Sequence, residues 1–289
     1  MDTDKCRALL CALEKGNLSD AAEELGYTPS GMSRMMAALE AETGVRLLRR
    51  NRNGVQATKE CERLLPTIRE LVRLSAVLVQ EAGELSGAIT GEVQVATAYS
   101  CYYKQLSDLI HEFGKLYPGI RVGIREGRSS LLMQGIEEGD LDLCIISKRE
   151  GRCEWIPLKE DDMIVWVQAT HPLAEEGVYP LSRLEEEDFI LMYAGMDSDV
   201  GRLLKGSGLH PSPRYTTSDT YAAYQMVEAG LGVTVVNGLF DGLGEGAVRS
   251  LLPEPRAKIE IGIAVTEPSS ITPAAKRFRD FVRSRLEVF

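Results

Sequence analysis

The sequence predicts an α/β protein overall, made of two unlike parts: a small all-α winged helix-turn-helix unit, and a larger strand–helix region joined to it by one long helix. Three observations carry this. Residues 17–58 hold two short helix signals across a Gly-Tyr-Thr-Pro turn, followed by an arginine-rich hairpin signal. Residues 59–90 keep heptad spacing. Tyr27 is the only aromatic residue among the first ninety, whereas beyond them apolar runs alternate with amphipathic helices.

Ser19 precedes an alanine-rich run and is placed to cap a short helix over residues 20–25, which Gly26 can end in the left-handed conformation. Thr28-Pro29 restarts the chain as a helix, with threonine as N-cap and proline at the first position, where a missing N–H costs nothing. Met32, Met36 and Leu39 then fall at the i, i+4, i+7 spacing of a buried stripe. The opposite face carries Ser30, Gly31, Ser33 and Arg34, small or hydrogen-bonding residues that suit entry into the major groove of DNA. Arg46, Arg49, Arg50 and Arg52 flank Asn53-Gly54, a strong hairpin turn signal, so a wing would bring arginine to phosphates or a narrow minor groove. Taken singly, each helix reads as an alanine-rich core helix beside a solvated basic loop. The order helix, turn, helix, wing makes DNA binding the better reading.

Through Thr58 the chain carries eight basic and eight acidic residues, so the net charge of −10 belongs to the remainder. That balance excludes diffuse nucleic-acid binding and confines positive potential to the second helix and the wing. A neutral reading unit binds weakly alone and needs paired half-sites, hence dimerisation. Leu64, Ile68, Leu71, Ser75, Leu78, Ala82 and Leu85 step by four and three, a seam that can supply it. The alternative is a long helix packed on its own domain. Pro66 either kinks this helix near its start or marks where it begins. Gly83 and Ser86-Gly87 loosen its end, which makes 86–91 a linker.

Beyond residue 90, strands are expected at 93–98, 120–124, 141–146, 163–167, 189–192, 232–236 and 259–265. Helices are expected at 102–116, 130–138, 199–205, 219–229 and 273–286. The alternation implies parallel sheets, and some 200 residues exceed what one small sheet needs, so two subdomains follow. No run is apolar enough to span a membrane and the N-terminus lacks a secretory signal, so a cytoplasmic location is expected.

Short motifs add a family resemblance. Ala21-Ala22-Glu23-Glu24-Leu25, Ser33-Arg34-Met35-Met36-Ala37-Ala38-Leu39-Glu40, Leu47-Leu48-Arg49-Arg50 and Ala57-Thr58 stand in order in the first part. Tyr117-Pro118-Gly119-Ile120, Gly139-Asp140-Leu141-Asp142-Leu143, His171-Pro172-Leu173 and Val227-Glu228-Ala229-Gly230-Leu231-Gly232-Val233 follow in the second. Together these resemble the LysR-type transcriptional regulators across nearly the whole chain. There are departures: Pro29 replaces a common glutamine, Leu48 a phenylalanine and Cys61 a glycine. Proline cannot make a bidentate adenine contact, which leaves Thr28, Pro29, Ser30, Ser33 and Arg34, with Arg50 and Arg52 on the wing, as the DNA-binding set.

The resemblance implies a ligand-responsive regulator that binds a pseudo-palindromic operator on double-stranded DNA as a dimer of dimers. Residues 1–58 would be the DNA-binding domain and 59–90 the linker helix, pairing copies through Leu64, Ile68, Leu71, Leu78 and Leu85. Residues 91–289 would form an effector-binding domain similar to periplasmic binding proteins, with crossovers near 160–163 and 262–267. Subdomain I would be 91–161 plus 267–289, and subdomain II 162–266. A ligand in such a cleft meets strand ends and helix N-termini. Those ends carry Ser100, Cys101, Tyr102, Ser129, Ser130, Ser147, Lys148, Asp197, Ser198, Ser218 and Thr220, a set compatible with a small carboxylate effector. Each serine taken alone reads more often as an ordinary helix cap.

The six cysteines (Cys6, Cys11, Cys61, Cys101, Cys144 and Cys153) form no C-x-x-C pair and no metal spacing with His111, His171 and His210. Free thiols, no metal and no other cofactor are expected. Cys101 beside a helix N-terminus would have a lowered pKa, which makes a thiol-based redox sensor the alternative function. No nucleophile–base set and no Gly-rich phosphate loop after a strand is present, which argues against an enzyme. A solute-binding transport protein would share the second part but carry an export signal and lack the helix-turn-helix.

Overall fold

A computed structural model describes residues 2–51, 54–243, 246–268 and 271–289. The first part is α1 (Thr3–Lys15), α2 (Leu18–Glu24), α3 (Pro29–Thr43), the two-stranded wing β1 (Leu48–Asn51) and β2 (Gly54–Ala57), then the long α4 (Lys59–Leu85). The cap of α2 is Asn17 rather than Ser19: its side-chain oxygen accepts the Asp20 N–H at 2.7 Å, and Ser19 lies inside the first turn. Alanines at 8, 12, 21 and 22 are fully buried and let α1, α2 and α3 approach closely around Leu9, Met32, Met36 and Leu39. The wing is tied to α1, because the Val55 N–H donates to the Gly16 carbonyl at 2.7 Å. At Gly54, φ is +114°, and a Cβ would stand 2.0 Å from that same carbonyl oxygen, so glycine is required there.

Thr58 caps α4 through the Cys61 N–H, so the helix starts at Lys59 and runs through Pro66. Pro66 lies on the exposed side, where loss of one helical hydrogen bond is borne by solvent. The expected seam is split between two environments. Ile68 is only 3% exposed and belongs to the core of the first part, with Leu71 packed partly against it. Ile68 is therefore unavailable to a partner. Leu64 and Leu78 are exposed, and so is Leu85, at 92%.

The second part follows as β3 (Gly91–Thr97), α5 (Tyr103–Leu116), β4 (Ile120–Glu126), α6 (Ser129–Glu138) and β5 (Leu143–Ser147). Next come β6 (Glu154–Gln168), β7 (Val178–Pro180), β8 (Phe189–Met192), α7 (Asp199–Ser207), β9 (Pro213–Thr217) and α8 (Thr220–Glu228). It closes with β10 (Thr234–Asn237), β11 (Val248–Glu254), β12 (Lys258–Val265) and α9 (Pro273–Arg283). One sheet runs in the order β4-β3-β5-β12-β6-β11-β7, with β10 also on β6, and β8 pairs with β9 separately. β3, β4 and β5 are parallel, as alternating strands and helices require.

β6 and β12 are the two strands shared by both ends of this sheet, antiparallel to each other from Lys258 opposite Asp162 to Val265 opposite Glu154. The far half of β6 pairs with β10 and β11. Over 261–265, β12 is already bonded to β5. The second crossing therefore lies near 257–260, where the Met163 N–H meets the Ala257 carbonyl, and not at 262–267. Lys159, Glu160, Asp161 and Asp162 hid the first half of β6 from sequence reading, because a run of charges lacks the alternation of a half-buried strand.

Asp142, just ahead of β5, accepts the Gln94 N–H at 2.7 Å. Loss of water around its carboxyl pushes the pKa up to about 6, against the opposing pull of the Gln94 bond and the Arg73 charge. The folded value then exceeds the unfolded one, near 3.8, so the native state binds the proton more tightly. Its contribution to stability is full at low pH and is lost as pH rises from 3.8 towards 6. Asp142→Asn keeps the acceptor, so its unfolding free energy relative to the parent should climb across that window, by at most about 3 kcal/mol, read from denaturant unfolding at each pH. Parallel curves for the two proteins would show that Asp142 does not carry the effect.

Candidate nucleic-acid interface and ligand cleft

Thr28 caps α3, its hydroxyl accepting the Gly31 N–H at 3.1 Å, and Pro29 occupies the first helical position. Ser30 and Arg34 are exposed and Ser33 half-buried, while Met32 and Met36 turn inward. Arg50 on β1 reaches across and donates to the Ser33 hydroxyl at 3.2 Å, so wing and helix present one continuous surface. Glu40, a residue not anticipated as important, fixes that geometry: its carboxylate accepts the Leu47 and Leu48 N–H groups at 2.8 and 3.1 Å. Arg49 bonds Gln56 across the hairpin. Arg52 and Asn53 lie outside the described residues.

The second region is a cleft of about 620 Å³ between the β3–α6–β5 side and the α7–α8–β10 side of the larger part. Ser100, Ser129, Asp197, Ser198, Ser218 and Thr220 line it. Ser130 and Ser147 stand just behind: Ser130 bonds the Asp197 carboxylate, and the buried Ser147 hydroxyl lies 3.1 Å from that of Ser129. Three expected residues do not reach the cleft. Cys101 and Tyr102 fall in a single 3-10 turn ahead of α5, which sends the Tyr102 ring into the core against Phe289. Lys148 points away, paired with Glu260 at 2.8 Å over the Trp155 ring. The Cys101 thiol is pushed up in pKa, not lowered, because loss of water outweighs the pull of Lys159 and of the nearby backbone N–H groups.

The centre of the cleft is Asp199, which spacing alone did not single out. One carboxylate oxygen accepts from the Ser147 hydroxyl at 2.7 Å and from Arg149 at 2.8 Å. The other accepts from the Tyr99 hydroxyl at 3.2 Å and from the Asn237 amide at 3.1 Å. The Arg149 side chain, 5% exposed, also donates to the Ser130 and Ser147 hydroxyls. Burial first, and then the Asp199 charge, push the Tyr99 phenol upward. Asp197 beside it is held down to about 2, chiefly by the Arg202 guanidinium at 2.9 Å.

Residues 3–62 match the bacterial regulatory helix-turn-helix proteins of the lysR family, and residues 86–287 match the LysR substrate binding domain. The chain belongs to the LysR family of transcriptional regulators. The HTH-type transcriptional regulator YybE of Bacillus subtilis (strain 168) is 26% identical over 93% of both chains. A full-length OxyR variant from Pseudomonas aeruginosa superposes with a TM-score of 0.74 at 18% identity, covering 99% of this chain and 95% of that one. CbnR in complex with its target DNA gives 0.58 at 20% identity, over 98% of this chain and 99% of that one. Those two likenesses show a shared fold.

This LysR regulator is thus a DNA-binding protein with an effector-binding domain. Its cleft residues had one legible signal each: Arg149 stands two places past the end of β5, and Asp199 is the first residue of α7. Among the described residues no helix is long and apolar enough to cross a membrane.

Proposed function

We propose that this regulator acts in the cytoplasm without catalytic activity, binding a pseudo-palindromic operator as a dimer of dimers. A small molecule in the cleft would change the angle between the two subdomains and thereby the aim of the reading heads. One observation supports the coupling. α6 begins in the cleft with Ser129 and Ser130 and ends against the linker helix, where Glu138 and Asp140 hold Arg69 at 2.8 and 3.4 Å. The Arg73 side chain lies over Gly139 at the same end, so the helix runs from cleft to linker as one stiff rod.

Retardation of the intergenic DNA beside its own gene at moderate salt tests the reading, and its absence would overturn it. For the coupling, Ser129→Ala and Arg69→Gln should interact in operator affinity by about 1 kcal/mol in a double-mutant cycle. Strict additivity would remove α6 from the route.

A further inference from the structure

We propose that the cleft selects a protonated amine with an apolar, ring-sized body and rejects a simple carboxylate, an inference that rests on the effector cleft proposed above. Four donors that would greet a carboxylate are already spent. Arg149, Ser147, Tyr99 and Asn237 all point at Asp199, an internal carboxylate that sits where an anionic ligand would be held. An anion entering that cradle would have to break the Arg149–Asp199 pair and leave Asp199 enclosed without its cation, an arrangement that low-dielectric surroundings penalise strongly. Asp197 is likewise committed, to Arg202 and Ser130.

What remains for a ligand is the outer half of the cavity. Its carboxylates are Glu126, at the end of β4, and Asp219, the cap of α8, one from each subdomain. Neither makes an ion pair among the described residues: Glu126 accepts only from the Tyr103 hydroxyl at 3.3 Å, and Asp219 from the Ala222 N–H at 2.7 Å. Glu126, Asp219 and Tyr193 line the same cavity, and burial first, then the Asp219 charge, push the Tyr193 phenol upward. Among the described lining residues outside the Asp199 cradle, Arg128 is the one cation, donating to the Asp197 carbonyl at 3.4 Å, so two carboxylates face one guanidinium and the balance is negative. Tyr103, Tyr193, Tyr221 and Phe240 supply ring faces on the walls, and ring faces attract ammonium groups as carboxylates do. A volume near 620 Å³ suits a ligand of that size.

The test uses the full chain with tyramine and its shape-matched acid, 3-(4-hydroxyphenyl)propionate, read by thermal shift and calorimetry. Tyramine at up to about 10 mM should raise the melting temperature and the acid should not. Glu126→Gln combined with Asp219→Asn, which retains the α8 cap, should weaken tyramine binding by about tenfold or more. Asp199→Asn keeps the shape of the cradle but frees Arg149, so the acid should then bind and tyramine should lose affinity. Stabilisation by the acid in preference to tyramine would overturn the amine assignment while leaving the effector cleft in place. No shift with tyramine would overturn it as well, and the operator retardation assay would stand or fall separately.

Discussion

Arg34→Ala and Arg50→Ala should each weaken operator binding by one to two orders of magnitude per half-site, with unchanged melting temperature. The expectation follows from where the two guanidinium groups stand. Arg34 is on the exposed face of α3, away from the Met32–Met36 stripe that holds the helix down. Arg50 extends from the wing to the Ser33 hydroxyl. Neither side chain supports the core, so truncation removes contacts to DNA and little else. A lost phosphate or base contact costs about 1–3 kcal/mol, and an assembly that reads paired half-sites incurs it at each of them. The control is Glu40→Ala, which removes no DNA contact but frees the Leu47 and Leu48 N–H groups and lets the wing drift. Fluorescence anisotropy with a labelled operator would separate the cases. The arginine variants should lose salt dependence as well as affinity, since each phosphate contact contributes to the salt slope. Full affinity in both would move the reading surface elsewhere.

Leu78→Glu should dissociate the dimer, whereas Ile68→Glu should unfold the first part. The two residues sit ten positions apart on one helix, and only their surroundings differ. Leu78 is 67% exposed on a stripe shared with Leu74, Val79 and Leu85. Ile68 is enclosed by the helix-turn-helix core. In a dimer paired along α4, two Leu78 side chains would be buried, each contributing about 1.5–3 kcal/mol, and a carboxylate in their place would add a desolvation cost. A shift of two or more orders of magnitude in dimer dissociation follows, measurable by sedimentation or light scattering. Operator affinity should fall with it. A dimer of unaltered strength would show that the pairing surface lies elsewhere.

Local signals made the first part largely legible. The Thr28 cap, Pro29, the Met32–Met36–Leu39 stripe and the left-handed Gly26 each rest on residues within two turns of one another, and all four are found. The larger part was legible where apolar runs made its strands, β8 at Phe189–Met192 among them. Short or polar strands such as β7 and β9 escaped, since their pairing depends on partners distant in sequence. The α4 seam was visible as a period, but a period says that a face is buried and not against what. Ile68 and Leu78 share that period and part company in three dimensions. The same limit hid Asp199: its four donors come from residues 99, 147, 149 and 237, and only the folded sheet brings them together.

The paired strands β6 and β12 restrict what any ligand can say. Because they are hydrogen-bonded to each other along the whole passage, one subdomain cannot slide or swivel on the other without breaking a ladder. The ladder slips register once, between Ile261 and Gly262, where Gly262 lies so close to the Trp155 ring that a Cβ would stand 2.4 Å from it. Stiffness elsewhere and a single irregularity there leave one soft coordinate, a bend. The vocabulary expected of such a sensor is therefore one-dimensional: occupants of different chemistry should all register as more or less of the same flexure.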